Sequence, residues 1–365
     1  MNELKYWLAL SKASYSDSRF IKTVLEFFNS PKDAWMASSA DLLQINGINC
    51  KKVESFAELK RTTNPDDLIR GIEKRKIHVL TIKDQEYPFL LKQIYDAPAV
   101  LYIKGDLKSC NADKTLAVVG SRKASNYIMD TLDNLIDGLV GSDVTIISGL
   151  ALGVDSCSHR AAIRNNLKTI GVIASGLDYV YPKENKDLYK QLAEDKGAIV
   201  SEYYPTERPE TWKFPKRNRI ISGLSKGTLI VEAGLKSGAL ITARLCLEQN
   251  RELMCIPGLV TNPNTEGIYK LVKEGAGLVT NAKDIFEHLN WQYDSTIANS
   301  GNIPKINLLD NERKIYEILN LEPKQFDEIL VQSKMNVQEL MGIITTMELN
   351  GLIKQLPGQK YTKIR

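Results

Sequence analysis

The chain has 365 residues, of which 43% are hydrophobic and 25% are charged, a composition typical of globular proteins. This length predicts one large core with smaller appended domains. The net charge of +4 excludes a chain that binds nucleic acid through overall positive charge, so any such binding must come from local basic clusters. The sequence shows no basic leader ahead of an apolar segment and no apolar run that could cross a bilayer, which indicates a cytoplasmic protein without membrane contact.

The cysteines and histidines do not form a metal-binding pattern. No C-x-x-C pair occurs, and the three histidines are far apart in the sequence. This spacing favours reduced structural thiols and predicts neither a metal site nor a cofactor. The five cysteines are Cys50, Cys110, Cys157, Cys246 and Cys255.

The first 63 residues are predicted to form a small helical domain, because their apolar residues recur at helical spacing. The segment "LLQINGI" resembles the hairpin of helix-hairpin-helix and sterile-alpha-motif-like domains. In such hairpins a glycine, here Gly47, lets backbone amides approach a phosphate. A plain pair of packed helices is the alternative interpretation.

Residues 64–290 are predicted to form an α/β domain with an extended Rossmann-like fold. Six short β-branched segments alternate with helical stretches, a pattern typical of a parallel sheet covered on both faces. Ligands of such sheets bind at the carboxyl ends of the strands. The six segments are "TLAVVG", "VTIISG", "TIGVIA", "AIVSE", "TLIVEA" and "ELMCIPG".

Two strand ends carry candidate phosphate-binding residues. Gly120 and Ser121 end the first strand with Arg122 beside them, and Ser148 and Gly149 end the second. Backbone N–H groups, hydroxyls and a guanidinium can together bind an anion. Each turn taken alone is a common feature of α/β folds, so the prediction rests on their combination at one edge of the sheet.

Several catalytic classes lack their signatures. The sequence contains no G-x-x-x-x-G-K-[ST], no G-x-G-x-x-G and no G-x-S-x-G, which removes the main signals for ATP, dinucleotide and serine-hydrolase chemistry. Cys157 and His159 are two residues apart at the start of a predicted helix. That spacing does not bring their side chains together, so we do not interpret them as a catalytic pair.

Six motifs follow one another in the sequence: "VVGSRKASNY", "ISGLALGVDSCSHRAAI", "ASGLDYVYPKENKDL", "SEYYP", "FPKRNRIISGLSKGTLIVEAGLKSGALITARLCLEQNRELMCIPG" and "TEGIYKLVKEGAGLV". From Gly120 to Val279 this ordered series resembles the DNA-processing protein A (DprA/Smf) family. The resemblance implies an extended Rossmann core in a non-enzymatic, dimeric protein. It also implies binding of single-stranded DNA during natural transformation and loading of the RecA recombinase onto that DNA.

The segment "WKFPKRNRIISGLS" interleaves cations with aromatic rings, as a binder of single strands requires. We predict that "FPKRNR" is a loop ahead of the strand "TLIVEA". Phe214 or Trp212 would support a base, although core packing is an alternative for Phe214, and Asn218 would donate to a phosphate or a base edge. Arg122 and Arg217 are the predicted main anchors. The cations that would follow the phosphates are Lys213, Lys216, Arg217 and Arg219.

The carboxyl-terminal region is predicted to contain a polar linker, 291–304, and a winged-helix-like domain, 305–365. Three helical stretches precede a short basic hairpin. Tyr361 lies between cations there, as rings that stack with bases often do, which predicts a surface stacking group. DNA contact and protein interaction are both open as uses of this domain. The basic residues of the tail are Lys354, Lys360, Lys363 and Arg365.

Two other functions fit the same fold. The segment "SKGTLIVEA" loosely resembles a motif of nucleotide phosphoribohydrolases, for which Glu202 and Glu232 would be the candidate carboxylates. Capping or buried hydrogen bonding is the alternative for both residues. A sensor of small nucleotides would use the same phosphate-binding turns without chemistry.

Overall fold

A computed structural model describes residues 3–107, 113–292, 309–319, 323–349 and 352–363. It divides into two compact units, 1–301 and 302–365. The predicted linker falls almost wholly outside the described residues, as do Cys110 and Arg365. None of the described helices is both long and apolar enough to span a bilayer.

Six helices open the first unit, and Asp, Ser or Asn side chains cap five of them by accepting hydrogen bonds from first-turn N–H groups. Gly47, with φ of +89°, lies in the turn between the fourth and fifth helices, where a hairpin was predicted. The helices are α1 (Leu4–Ala13), α2 (Ser18–Phe27), α3 (Pro31–Met36), α4 (Ser39–Leu43), α5 (Cys50–Thr62) and α6 (Pro65–Arg75).

A nine-stranded sheet forms the centre of this unit. The strands are β1 (His78–Thr81), β2 (Val100–Gly105), β3 (Thr115–Gly120), β4 (Thr145–Ser148), β5 (Thr169–Val172), β6 (Gly197–Ser201), β7 (Gly227–Val231), β8 (Glu252–Cys255) and β9 (Gly277–Leu278). Their order is β1-β2-β6-β5-β4-β3-β7-β8-β9. The pairs β1–β2 and β2–β6 are antiparallel, and the others are parallel. The six predicted strands are confirmed as β3 to β8, whereas β1, β2 and β9 were not predicted.

Helices cover both faces of the sheet, as the strand–helix alternation predicted. One apolar core lies under α7, α11, α12 and α13, and another lies under α8, α9 and α14. These helices and α10 are α7 (Phe89–Lys92), α8 (Asn126–Asp137), α9 (Val154–Arg164), α10 (Lys186–Gln191), α11 (Lys213–Gly223), α12 (Ala239–Glu248), α13 (Glu266–Lys273) and α14 (Ala282–His288).

The amino-terminal helices share a core with the sheet. Trp7 and Leu10 of α1 belong to the same buried cluster as Tyr102 of β2 and Ile199 of β6. The helical region and the sheet therefore form one compact unit in the described residues. The limits 1–63, 64–290, 291–304 and 305–365 remain predictions.

The second unit is a winged helix, which confirms that part of the predicted fold. Its elements are α15 (Asp310–Ile318), β10 (Lys324–Gln325), α16 (Phe326–Ser333), α17 (Val337–Leu349), β11 (Ile353–Leu356) and β12 (Lys360–Lys363), with strand order β10-β12-β11. Tyr361 is 7% exposed and belongs to the unit's core, so the prediction that its ring is a surface stacking group is wrong. Side chains alternate along a strand, and here Tyr361 points inward while its neighbour Lys360 is exposed.

Candidate nucleic-acid interface

A cleft of about 690 Å³ opens at one edge of the sheet, beside the end of β3 and the loops after β4 and β7. The strand order reverses here, since β4 lies on one side of β3 and β7 on the other. Loops diverge at such switch points and leave room for a ligand. The predicted site residues that line the cleft are Gly120, Ser121, Arg122, Phe214, Arg217 and Asn218. Those that do not line it are Ser148, Gly149, Lys213, Lys216 and Arg219.

The turn after β3 is tight because the backbones of two strands meet there. A Cβ on Gly120 would lie 1.8 Å from the carbonyl oxygen of Val231, so this position needs glycine. The N–H of Ser121 donates to the same carbonyl at 3.3 Å. Arg122 follows as an exposed residue, and its Cζ lies 5.7 Å from the ring centroid of Phe214. The turn therefore presents a cation next to an aromatic ring.

The segment "FPKRNR" is helical, so the prediction of a loop is wrong. It belongs to α11, which begins at Lys213. Pro215 is compatible with this because it lies in the first turn, where its missing N–H would have no partner within the helix.

The helix divides the predicted strip of cations between two faces. Residues three, four and seven positions apart share one face of a helix. The residues on the cleft side are Phe214, Arg217, Asn218 and Ile221. Lys216 and Arg219 instead line a separate cavity beside the amino-terminal helices. The predicted strip is therefore not one continuous surface.

Arg217 is buried in the wall of the cleft, where it joins α11 to the sheet. Its Nη1 donates to the carbonyl of Gly149 at 2.7 Å and to the carbonyl of Val172. Burial lowers the pKa of Arg217 to about 10, Asp155 opposes that shift, and Arg122 adds to it. Since a pKa near 10 is well above 7, Arg217 is charged at neutral pH.

Gly149 allows this close approach. A Cβ on Gly149 would lie 2.6 Å from Nη1 of Arg217 and 2.6 Å from Oδ2 of Asp155. Asp155 is itself buried, and burial raises its pKa, while the charge of Arg217 and backbone hydrogen bonds lower it. Gly149 therefore lies behind the cleft, where it leaves space for the Arg217 side chain and provides a carbonyl that accepts a hydrogen bond from it.

Phe214 packs against the ring of Tyr181, which is not among the predicted site residues. Its centroid is 5.5 Å from that of Tyr181, with the planes at 61°, and Tyr181 is 51% exposed. Lys236 also lines the cleft and is exposed. The sequence could have predicted Lys236 as a site residue, because it follows the predicted strand "TLIVEA" and the carboxyl ends of parallel strands meet at one edge of the sheet. Tyr181 is distant in the sequence from the other residues of the cleft.

Ser148 and Lys213 lie inside the protein. The Oγ of Ser148 donates to the carbonyl of Val118 at 2.6 Å, and the residue has no exposed surface. Lys213 is 2% exposed, with Nζ 2.9 Å from a carboxylate oxygen of Glu210 and 3.1 Å from one of Glu207. Both side chains hold the framework of the cleft in place.

Lys216 and Arg219 join α11 to a buried carboxylate. An Nη2–Oε2 distance of 2.6 Å connects Arg219 to Glu202, and Lys216 lies 3.6 Å from the same oxygen. Arg219 also pairs with Asp96 at 3.1 Å. Lys216 donates to the carbonyl of Ser16 at 2.7 Å, and burial lowers its pKa. These cations are therefore engaged in contacts within the protein.

The carboxylates considered for nucleotide hydrolysis have structural partners. Glu232 is 1% exposed and accepts hydrogen bonds from Ser125, at 2.6 Å from Oγ and 3.2 Å from N, at the start of α8. Glu202 binds Arg219, as described above. These contacts agree with the alternative of capping and buried hydrogen bonding.

Cys157 and His159 do not contact each other through hydrogen bonds. The thiol of Cys157 lies 3.4 Å from Asp133, and burial raises its pKa to about 12. His159 is fully buried with Nδ1 2.6 Å from the hydroxyl of Thr169, and burial lowers its pKa to about 3. A protonated thiol and a neutral buried imidazole do not make a nucleophile–base pair.

The fold and the cleft define a Rossmann-like α/β protein with cations and aromatic rings at the switch point of its sheet and a winged helix as its second unit. The model for the family "DNA recombination-mediator protein A" matches residues 78–290, and the DprA winged helix domain matches residues 304–359. The chain belongs to the DNA recombination-mediator protein A family. It is accordingly a DNA-processing protein that mediates recombination.

Named relatives support this assignment. DNA processing protein DprA of Bacillus subtilis (strain 168) is 41% identical over 229 residues, which cover 62% of this chain and 77% of the relative. An X-ray structure of DprA from Streptococcus pneumoniae is 36% identical, with a TM-score of 0.68, and the match covers 78% of this chain and 97% of that one. A structure of DNA processing protein A from Helicobacter pylori concerns that protein's single-stranded DNA binding mode. It is 28% identical with a TM-score of 0.53, and the match covers 59% of this chain and 98% of that one.

Proposed function

We propose that this chain binds single-stranded DNA in the cleft and acts there as a recombination mediator without catalysis. The observation that carries the proposal is the placement of the Arg122 guanidinium 5.7 Å from the ring of Phe214, with Tyr181 beside that ring. Single strands need cations for their phosphates and flat rings for their unpaired bases. The relative from H. pylori, whose structure concerns single-stranded DNA binding, supports the same ligand.

The proposed contacts come from the residues that line the cleft. Arg122 and Lys236 are exposed cations that can follow phosphates, and Asn218 can donate to a phosphate or a base edge. Phe214 would support a base. Arg217 supplies positive charge from the wall while it holds the strand ends in place.

Binding of labelled oligonucleotides at several salt concentrations tests the proposal. We expect a strong preference for single strands over duplexes of the same sequence. Equal binding of both would overturn it. Release of free base from nucleoside monophosphates would support the phosphoribohydrolase alternative. Competition by a mononucleotide as strong as that by a long oligonucleotide would support the sensor.

The Arg122→Ala substitution should weaken single-strand binding by about 1.5–3 kcal/mol, the range for a hydrogen bond to a charged group. A plot of the logarithm of the binding constant against the logarithm of the salt concentration has a negative slope. The magnitude of this slope should decrease by about 0.7, the value for one phosphate contact on a single strand. Oligonucleotides of different sequence should be affected alike, because phosphate contacts do not specify sequence. The melting temperature should not change, since Arg122 is exposed.

The matched control for Arg122 is Arg244→Ala, which removes an exposed arginine of α12 whose partner is Glu248. Arg244 does not line the cleft. Loss of affinity in both variants to the same extent would mean that general charge, and not the cleft, explains the effect of Arg122.

The proposal extends to partners and location. Family resemblance supports a homodimer that works in the cytoplasm and loads RecA onto the bound strand. A dimer also gains apparent affinity because its second site binds the same strand intramolecularly. Light scattering should give twice the mass of one 40.9 kDa chain, and a larger complex when RecA is added. A single-chain mass at micromolar concentration, with and without DNA, would overturn the dimer.

A further inference from the structure

Two further cavities lie beside the amino-terminal helices. The second cavity, of about 330 Å³, lies between α11 and the start of α2. The third cavity, of about 470 Å³, extends to the turn before α5 at Gly47. Three residues line both of these cavities: Asp17, Arg19 and Lys52.

The cleft and the second cavity are lined by neighbouring residues of the chain. Thr211 lines the cleft, and Trp212 lines the second cavity. The Trp212 ring is held edge-on to Tyr203 at a centroid distance of 6.1 Å, and the residue is 42% exposed. An accessible aromatic ring therefore lines the second cavity, one residue along the chain from the cleft.

The acidic residues around the second cavity are already paired. Asp17 binds Lys52, and Asp96 binds Arg219 at 3.1 Å. Arg19 is exposed and lines both cavities, and no ion pair within the described part of the chain involves it. The unpaired positive charge therefore faces the cavities.

One unsatisfied buried donor and one more exposed cation lie at these cavities. Arg219 lines the second cavity and is 3% exposed, yet its Nη1 has no hydrogen-bond acceptor among the residues that the structure describes. Lys51 is exposed at the start of α5, lines the third cavity, and has no ion pair in the same set of residues. A buried donor without an acceptor costs free energy unless a ligand or water satisfies it.

We infer that the single strand continues from the cleft over Trp212 into these cavities and reaches the hairpin between α4 and α5. This inference rests on the proposed binding of single-stranded DNA in the cleft. Trp212 stacks with a base, while Arg19 and Lys51 contact phosphates of the same strand. The amino-terminal helices thereby increase the number of nucleotides that the first unit contacts.

The test compares oligonucleotides of about 4 and about 16 nucleotides, the limits of site sizes found for single binding folds. The double variant Arg19→Ala, Lys51→Ala should bind the short strand as the wild type does. It should bind the long strand about 25-fold more weakly at 0.1 M salt, and its salt slope should fall by about 1.4, because each lost contact contributes about 0.7.

A second variant and a control complete the experiment. Trp212→Leu should weaken binding of the long strand without changing the salt slope, since the ring carries no charge. The control double variant Lys32→Ala, Arg61→Ala removes two exposed cations of the same helical region that line neither cavity. It should bind both strands as the wild type does.

The outcomes separate the inference from the function on which it rests. If the wild type binds neither oligonucleotide, the proposed function fails and the path fails with it. If the wild type binds the short strand as tightly as the long one, the path is wrong and binding in the cleft stands. Equal losses in the Arg19, Lys51 variant and in the control would also overturn the path.

Discussion

The Arg217→Ala substitution is expected to lower both the stability of the first unit and its affinity for single-stranded DNA. The guanidinium donates to two buried carbonyls, those of Gly149 and Val172, and lies near the buried carboxyl of Asp155. Each buried group left without its partner costs about 1–3 kcal/mol. We therefore expect the free energy of unfolding to fall by about 3 kcal/mol or more, which urea denaturation can measure.

Arg217→Lys is the informative companion variant. Lysine keeps a positive charge but cannot reproduce the planar fork with which arginine reaches two acceptors. It should recover part of the DNA affinity and little of the stability. If Arg217→Ala had the melting temperature of the wild type, the role assigned to its contacts with the strand ends would be wrong.

Arg122 and Arg217 are expected to contribute to DNA binding in two different ways. Arg122 is exposed, and its loss should affect DNA binding alone. Arg217 is 5% exposed, so its loss should first disturb the strand ends that it holds. The affinity for DNA should fall as a consequence. The sequence pattern placed both residues at the correct edge of the sheet but could not distinguish these roles, because burial depends on which helix face a residue occupies.

Parts of the fold with strong local signals could be predicted from the sequence. The β-branched segments that became β3 to β8 alternate with helical stretches, and the turn at Gly120 follows directly from the first of them. The predicted winged helix was identified from three helical periods and a basic hairpin. In these segments the local sequence preference agrees with the structure that tertiary packing requires.

Other parts depend on contacts between distant residues. In the sequence Lys213 resembles a surface cation, whereas in the structure it pairs with Glu207 and Glu210. The start of α11 resembled a loop because Pro215 and polar residues precede its apolar positions. Tyr181 reaches the cleft only because the chain folds back beside Phe214. No spacing within one segment could have shown these relationships.

Glu202 is the residue whose loss should destabilise the junction between α11 and the amino-terminal helices most strongly. It is 1% exposed and pairs with Arg219 at 2.6 Å and with Lys216 at 3.6 Å. Removing one partner of a buried ion pair leaves an uncompensated charge, which costs about 3–5 kcal/mol. Glu202→Ala should therefore lower the free energy of unfolding by about that amount. The exposed control Glu248→Ala should change it by less than about 0.5 kcal/mol.

A double-mutant cycle decides whether the ion pair itself, and not the volume of the side chain, is responsible. Arg219→Met should also be strongly destabilising, because it leaves the Glu202 carboxylate buried without its closest cation. The double variant Glu202→Ala, Arg219→Met should be less destabilised than the sum of the two single variants by about 0.5–3 kcal/mol, the range for residues in direct contact. Additive losses would contradict the ion pair. Since neither residue lines the cleft, the double variant should still bind a short single strand wherever it remains folded.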